Sequence, residues 1–531
     1  MKLSFRKDLH IATIRSEDIW NKFKVHTLLQ NCESKQPSIN AYLGARYSRS
    51  SDSIVDIASE ILKTNTDAAE RLEAIFSGYG HKSVGDMADL FLCLEDIPMF
   101  TAMKIFYVNS VISGQERSTR YQNFQNPEFI KIPNEVCTDR EITKGYERVI
   151  LKQMQDYREL LKPTKDALKQ YFRINDESTQ EVSALKARAF DVVRYLLPLG
   201  LNTSSAYLMS ARNWSDMISY LCSSDSVVEN SISTLLLNLL GESNLEARGY
   251  IREADGLIRH TDANSCRKSS TENILEYIKR SISTEQSKDI PENEEEGIRV
   301  SYSPDCMEAL ISHYEALINP LGSKEEFEFS ETDQEEIGEI IFENHDHHNT
   351  LGNIGQSGAV KIEGFATLGT LKDMNRHRSL ERFMPIFHDE IDMDQELNRR
   401  NDQCFYLCNY LDIPSFSKLK KNYEGKLMDT YERIREWRRM AKDVLSKEVC
   451  DEYTRYLLPH AHATRYIFYG SFDDFQYIAN LRTRNGGHIA YRRLTYGWLR
   501  NLSYLDPIWR PLLRKIIEPR IDDKHQFVDR S

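Results

Sequence analysis

The chain has no paired-cysteine motif. Its nine cysteines (Cys32, Cys93, Cys137, Cys222, Cys266, Cys306, Cys404, Cys408, Cys450) are an odd, scattered set with no CxxC spacing. That argues against a disulfide framework and reads as reduced thiols. No apolar run approaches a membrane span, and the opening Met1-Lys-Leu-Ser-Phe-Arg-Lys-Asp8 has no apolar signal core. A soluble, cytoplasmic protein with no membrane partner is therefore expected. Positive charge is not in excess either. Lys and Arg number 69 against 81 Asp and Glu, a net charge of −12, which disfavours broad nucleic-acid binding but leaves room for a local basic pocket.

At 531 residues the chain exceeds the size at which single cores stop growing, so two or more domains are expected. Residues 1–36 read as a polar, partly helical extension. A first domain over 37–282 opens on a strand-like piece from Ser38 to Ser48. Helical patterns follow over 53–63 and 66–77, stopped by Gly78-Tyr79-Gly80. Leu90–Leu94 has strand length, Ile97–Val108 reads as a buried helix, and 113–121 as a polar loop. Helices are predicted over about 140–172, 180–197, 202–222 and 226–240. Residues 283–298 are acidic and nearly free of large apolar side chains, so burial there cannot offset ordering entropy and a linker is expected.

After that linker the order of events repeats in a second domain, 299–531. A strand-like piece at Arg299 and a helix over Asp305–Leu317 lead to His348-Asn-Thr350-Leu-Gly352-Asn353, which matches His81-Lys-Ser83-Val-Gly85-Asp86 in residue character. An apolar segment, Val360–Leu371, and long helices over about 415–447 follow. Arg455-Tyr-Leu-Leu-Pro459 then repeats Arg194-Tyr-Leu-Leu-Pro198 unchanged. The offsets of these landmarks are 267 and 261 residues, which predicts an internal duplication of a domain of roughly 250 residues.

Four groups of residues could carry chemistry. Arg376-His377-Arg378 sets two permanent guanidinium charges around one titratable imidazole, a set suited to a polyanion; a solvated helix face is the plainer reading. Glu116, Ser118 and Arg120 fall at alternate positions, so an extended backbone would point all three the same way. Carboxylate, hydroxyl and guanidinium together can hold a phosphorylated nucleoside, unless they are only a polar loop with an internal Glu–Arg pair. Arg194 and Arg455 end helices, where a cation also stabilises the dipole without binding anything. His345-Asp346-His347-His348 with His460-x-His462 offers metal-ligand types, although no HExxH motif accompanies them.

Gly80-His81-Lys-Ser83, Glu116-x-Ser118-x-Arg120-Tyr121, Arg194-x-x-x-Pro198 and Ala211-Arg212 together resemble the flavin-dependent thymidylate synthases, the ThyX family. The second half resembles them through Arg376-His377-Arg378, Arg455-x-x-x-Pro459 and Leu481-Arg482. Neither half has a full set. Where the family places its triplet, counting back from Ser118 gives Val108-Asn109-Ser110. Where it places Ser-x-Arg, counting forward from Arg378 gives Ile386-Phe387-His388. The family's Asn-Ala-Arg reads Ser210-Ala211-Arg212 in one half and Ser471-Phe472-Asp473 in the other, and its Leu-Arg reads Tyr220-Leu221 and then Leu481-Arg482. Each half keeps what the other lacks.

The resemblance implies an α+β fold: two copies of a helix-rich domain with a small mixed sheet, packed as a pseudo-dimer. A homodimer would then imitate the family's tetramer, whose sites are built between subunits. It further implies FAD held by Arg376, His377, Arg378, Arg212 and one of Ser83 or Thr350. A pyrimidine nucleotide such as dUMP would be held by Glu116, Ser118, Arg120, Arg194 and Arg376. Arg482 would contact the uracil ring and favour its N3-ionised form. NADPH and methylenetetrahydrofolate are the implied co-substrates. The alternatives are a nucleotide- or flavin-binding protein without turnover and a metal-dependent hydrolase.

Overall fold

In the computed structural model of the protein the described residues are 2–6, 11–15, 24–28, 37–47, 50, 52, 57, 60, 82–119, 122, 124, 127–240, 257–258, 260–281, 298–302, 309–310, 312, 329–343, 351, 355–356, 358–399 and 403–529. In chain order the main elements begin with strands β1 (Lys2–Arg6), β2 (Ile11–Arg15) and β3 (Lys24–Leu28), then α1 (Pro37–Tyr47), β4 (Asp89–Pro98), α2 (Met99–Val108) and β5 (Ser113–Glu116). Next come α3 (Arg140–Phe172), α4 (Thr179–Val193), β6 (Asn202–Ser210), α5 (Ala211–Cys222) and α6 (Val227–Leu240). The later part supplies β7 (Arg299–Tyr302), β8 (Val360–Thr367), α7 (Leu368–Met374), β9 (Glu381–Phe383), α8 (Ser417–Ala441), α9 (Lys447–Leu457), β10 (Ala463–Gly470), α10 (Phe472–Arg482) and α11 (Ile489–Leu505). Most of the expected helices over 53–63 and 305–317 and all of that over 66–77 lie outside the described residues, as does nearly all of the acidic linker.

Two compact units emerge, and they do not follow chain order. Unit 1 takes Met1–Glu147, Leu199–Glu285 and Trp437–Tyr456; unit 2 takes Arg148–Pro198, Gln286–Glu436 and Leu457–Ser531. Both belong to the expected α+β class. Every strand pairing among the described residues is antiparallel, so the sheets are not the mixed ones expected.

Unit 1 carries a six-stranded sheet in the order β1-β2-β3-β4-β6-β5. Of the partly helical extension expected over 1–36, the described residues are instead the sheet's first three strands. Lys2-Leu-Ser-Phe-Arg6 alternates polar and apolar residues, the period of a strand rather than a helix. The piece from Ser38 to Ser48, expected as a strand, is helix α1: Pro37 opens it, and Ala41 and Ala45, one turn apart, are both buried. Residues 202–222 are not one helix. Thr203, Ser205, Tyr207 and Met209 bury one face of β6, and Ser210 then caps α5 by accepting from the Asn213 N–H. The loop expected at 113–121 starts as edge strand β5, paired with β6.

Strand β4 buries Leu90, Leu92 and Leu94 and runs into α2, which is buried along most of its length. Two backbone bonds start that helix: Met99 N donates to Leu201 O at 2.9 Å and Phe100 N to Leu199 O at 3.1 Å.

Unit 2 carries a four-stranded sheet in the order β7-β8-β10-β9. Its core includes Val360, Ile362, Tyr466, Phe468 and Trp498, whose indole N–H donates to the Tyr466 hydroxyl at 2.9 Å. Strand β8 runs into α7 as β4 runs into α2. Leu368 N donates to His462 O at 2.8 Å and Gly369 N to His460 O at 2.9 Å. Thr101 and Thr370, each two residues beyond the first of these donors, are both fully buried. Also within unit 2, Pro198 and Pro459 of the two Arg-Tyr-Leu-Leu-Pro copies form an antiparallel bridge, and Ala461 N donates to Tyr195 O at 3.0 Å.

Candidate functional site

Three helix ends in unit 2 converge on one carboxylate. Asp373 lies in the last turn of α7. Arg194 follows directly on α4, its guanidinium 3.0 Å from Asp373 Oδ2 and donating to Gly369 O at 3.3 Å. Arg482 is the last residue of α10; its Nη2 donates to the Asp373 backbone carbonyl at 3.0 Å, its Nε to His377 Nε2 at 2.5 Å. The Arg482 guanidinium also lies 5.2 Å from the centre of the Tyr491 ring. Cations at helix C-termini match the negative end of the helix dipole, so the local sequence favours each arginine where it stands.

The triplet occupies the turn after α7. Asn375 caps the helix, and Arg382 holds that turn by donating to the Asn375 backbone and side-chain oxygens. Arg376 is exposed and makes no ion pair among the described residues, Arg378 is half-buried, and His377 is buried with its ring edge-on to Tyr477. His377 accepts from Arg482 through Nε2, which fixes the tautomer with its proton on Nδ1.

The electrostatics follow from that packing. Burial alone would raise the pKa of Asp373, but Arg194, Arg376 and Arg482 hold the carboxyl well below its usual range, so it is ionised. Burial, then Arg482, Arg382 and Arg376, push His377 well below the ordinary imidazole value, so it is neutral near pH 7. His488 is buried too and is pushed down to about 3, first by burial and then by Arg194. The result is a permanent guanidinium cluster around one carboxylate and one neutral imidazole, an arrangement that recognises anions.

The other residues expected to hold flavin or nucleotide fall in unit 1 or outside the described residues. Glu116 is buried at the end of β5 and Ser118 is half-buried just beyond it. Arg212, at the start of α5, pairs with Asp86 at 2.8 Å, both about half exposed. Ser83 lies in a short 3-10 helix, Lys82–Met87, that packs against α5, where a Cβ on Gly85 would stand in ordinary contact with Arg212, at 3.4 Å. Arg120 and Thr350 are outside the described residues. Within unit 2, Arg194 of the first half thus meets Asp373, whose backbone carbonyl also receives Arg482 of the second.

The same frame in unit 1 holds different chemistry. With the two helices aligned on their paired starting bonds, Tyr107, Val108 and Asn109 stand at the triplet, one residue earlier than the count from Ser118 gives. Lys104 stands at Asp373. It is buried against Glu229 at 3.0 Å, both side chains 3% exposed, and lies 5.7 Å from the centre of the Tyr220 ring.

The histidines considered as metal ligands divide. His345, His347 and His348 are outside the described residues. His460 and His462 are buried and separately engaged: His460 Nδ1 meets Leu197 O at 2.8 Å, while His462 lies between the Tyr431 hydroxyl at 2.7 Å and Glu396 at 3.0 Å. Among the described residues no group of three such side chains could hold an ion.

Sequence reasoning passed over Asp373, Tyr491 and His488. A signal for the first existed. Lys372-Asp373 interrupts the apolar run of α7 three residues before the triplet, and a charge in a helix of such burial needs a partner.

By fold and chemistry this is an α+β protein with a partly buried arginine cluster suited to an anionic ligand. Residues 27–237 match the family model of the thymidylate synthase complementing proteins, the Thy1 or ThyX family. That match ends before the triplet and Arg482. A UPF0159 protein of Chlamydia pneumoniae is similar along nearly the whole chain: 21% identical over 495 residues, covering 88% of this chain and 85% of that protein. No helix among the described residues is long and apolar enough to cross a membrane.

Proposed function

We propose that the protein is a flavin-dependent thymidylate synthase-like enzyme that transfers a methylene group from methylenetetrahydrofolate to C5 of dUMP or a related pyrimidine nucleotide. One observation carries this reading: Arg194 of the first half stands in the cluster made by Arg376, His377 and Arg482 of the second. The family match over residues 27–237 supports the reaction class.

The donor set fits phosphate-bearing ligands. Arg376 is exposed and Arg378 half-buried, so two guanidinium groups can reach the phosphates of FAD, with His377 between them and Arg212 and Ser83 or Thr350 completing the set. Glu116, Ser118, Arg120 and Arg194 would take the phosphate and sugar of the nucleotide. When bound, reduced FAD would supply the hydride, NADPH having reduced it.

Arg482 has the electrostatic role. A fixed cation beside pyrimidine N3 stabilises the ring anion and makes C5 electron-rich; C5 then bonds to the methylene carbon as that carbon's bond to a folate nitrogen breaks, its electron pair going to the nitrogen, and C5 gives up its proton. Neutral His377 orients that guanidinium without adding a competing charge.

The two halves would be copies of one ancestral domain paired as a pseudo-dimer, and a homodimer would imitate a tetramer. The equal order of β4-β6-β5 and β8-β10-β9 and the paired starting bonds of α2 and α7 support that reading. The cytoplasm is the proposed location.

Tritium release from C5-labelled dUMP with FAD, NADPH and methylenetetrahydrofolate tests the proposal. Colourless protein that takes up no FAD and releases no label would sink it. Arg376→Ala should abolish flavin retention, whereas Arg120→Ala should weaken dUMP binding and leave the flavin.

A further inference from the structure

We propose that Asp373 is a built-in anion that competes with the ligand for the arginine cluster of unit 2 and so sets the affinity of that cluster for an anionic group. Only the identity of the ligand rests on the nucleotide reading above.

The geometry separates orientation from competition. Arg194 is 4% exposed and also donates to Gly369 O, and Arg482 is tied to the backbone carbonyl of residue 373 and to His377. Neither guanidinium needs the Asp373 carboxylate to keep its place. What the carboxylate contributes is charge, 3.0 Å from Arg194. Its side chain is 20% exposed, so an incoming group can reach the pair.

Lys104, the residue in register in unit 1, shows the opposite design. Its pair with Glu229 is sealed at 3% exposure on both sides, and a ligand cannot reach it without opening the core. A buried guanidinium gives up a carboxylate only for another anion, because separation without replacement leaves a charge uncompensated. Asp373 therefore admits phosphate- or carboxylate-bearing ligands in exchange and excludes neutral ones, such as the free nucleoside, at the cost of weaker binding to every anion.

The test uses the full-length wild-type protein with D373N and D373E, titrated calorimetrically with inorganic pyrophosphate and with dUMP at fixed ionic strength. Removing the competing charge should tighten pyrophosphate binding about tenfold in D373N, in line with coupling measured for close charge pairs. D373E, which restores the charge, should bind like the wild type. A merely structural residue would not produce tighter binding that the acidic variant reverses. Unchanged or weaker pyrophosphate binding in D373N overturns the proposal, as does binding by neither protein. If D373N fails to fold, Asp373→Ser takes its place, and failure of both neutral variants makes Asp373 a structural charge and ends the proposal. Tighter pyrophosphate binding with no dUMP binding by either protein upholds the role of Asp373 while sinking the nucleotide reading.

Discussion

The strand-to-helix corners of units 1 and 2 have the same backbone frame and opposite interiors. In unit 1 the bonds that start α2 come from Leu201 and Leu199; in unit 2 those that start α7 come from His462 and His460. Lys104 and Glu229 close the first corner with a sealed ion pair, while Asp373, Arg194 and Arg482 leave the second charged and reachable. The difference teaches that backbone hydrogen bonds fix where a helix starts, while side chains decide whether its end is core or site.

The largest effect should come from the open corner. Arg482→Ala removes the cation assigned to the pyrimidine ring and should lower turnover of C5-labelled dUMP roughly 100-fold or more, the usual loss for one preorganised electrostatic donor. Turnover within a few-fold of wild type would remove the chemical contrast between the corners. The sealed corner should respond in stability instead. Lys104→Met strands Glu229 in the core and should cost about 3–5 kcal/mol in urea unfolding, whereas Lys104→Met with Glu229→Leu should recover most of it.

Acid should separate the corners next. Burial holds His460 and His488 down to about 3, against 6.5 for an ordinary imidazole. The unfolded chain then binds protons that the folded one refuses, so the stability these groups support is complete above pH 6.5 and is lost as pH falls from 6.5 towards 3. At pH 5 each should cost about 2 kcal/mol relative to pH 7. His460→Leu, which copies Leu199 of unit 1, should flatten the pH dependence of urea unfolding by one histidine; an unaltered slope would show that His460 titrates normally. The smallest effect belongs to the half-exposed pair Arg212–Asp86. Arg212→Ala should change stability by less than about 1 kcal/mol, so any marked loss of FAD affinity in that variant reports on binding.

Much of the frame could be read in the sequence. The long helix expected over 140–172 lies at Arg140–Phe172, and that expected over 226–240 at Val227–Leu240, because a 3.6-residue apolar period is a local signal. The first three strands were missed because each is only five residues long, too short for its period to be told from a helical turn. Residues 202–210 were missed because Ser, Thr and Tyr alternate there beside an apolar helix start, and only the neighbouring strands decide the outcome.

For the site, the chemical types could be read and the company could not. By itself the sequence determined the Arg-His-Arg triplet, the repeated Arg-Tyr-Leu-Leu-Pro and the division of motifs between halves, since these are matters of residue type and spacing. Only the tertiary structure decided that Arg194 meets Asp373, which lies 179 residues further along the chain, that His377 is neutral beneath Arg482, and that His460 and His462 are core residues. A contact over that separation and a pKa set by burial depend on which surfaces fold together, and local sequence carries no measure of either.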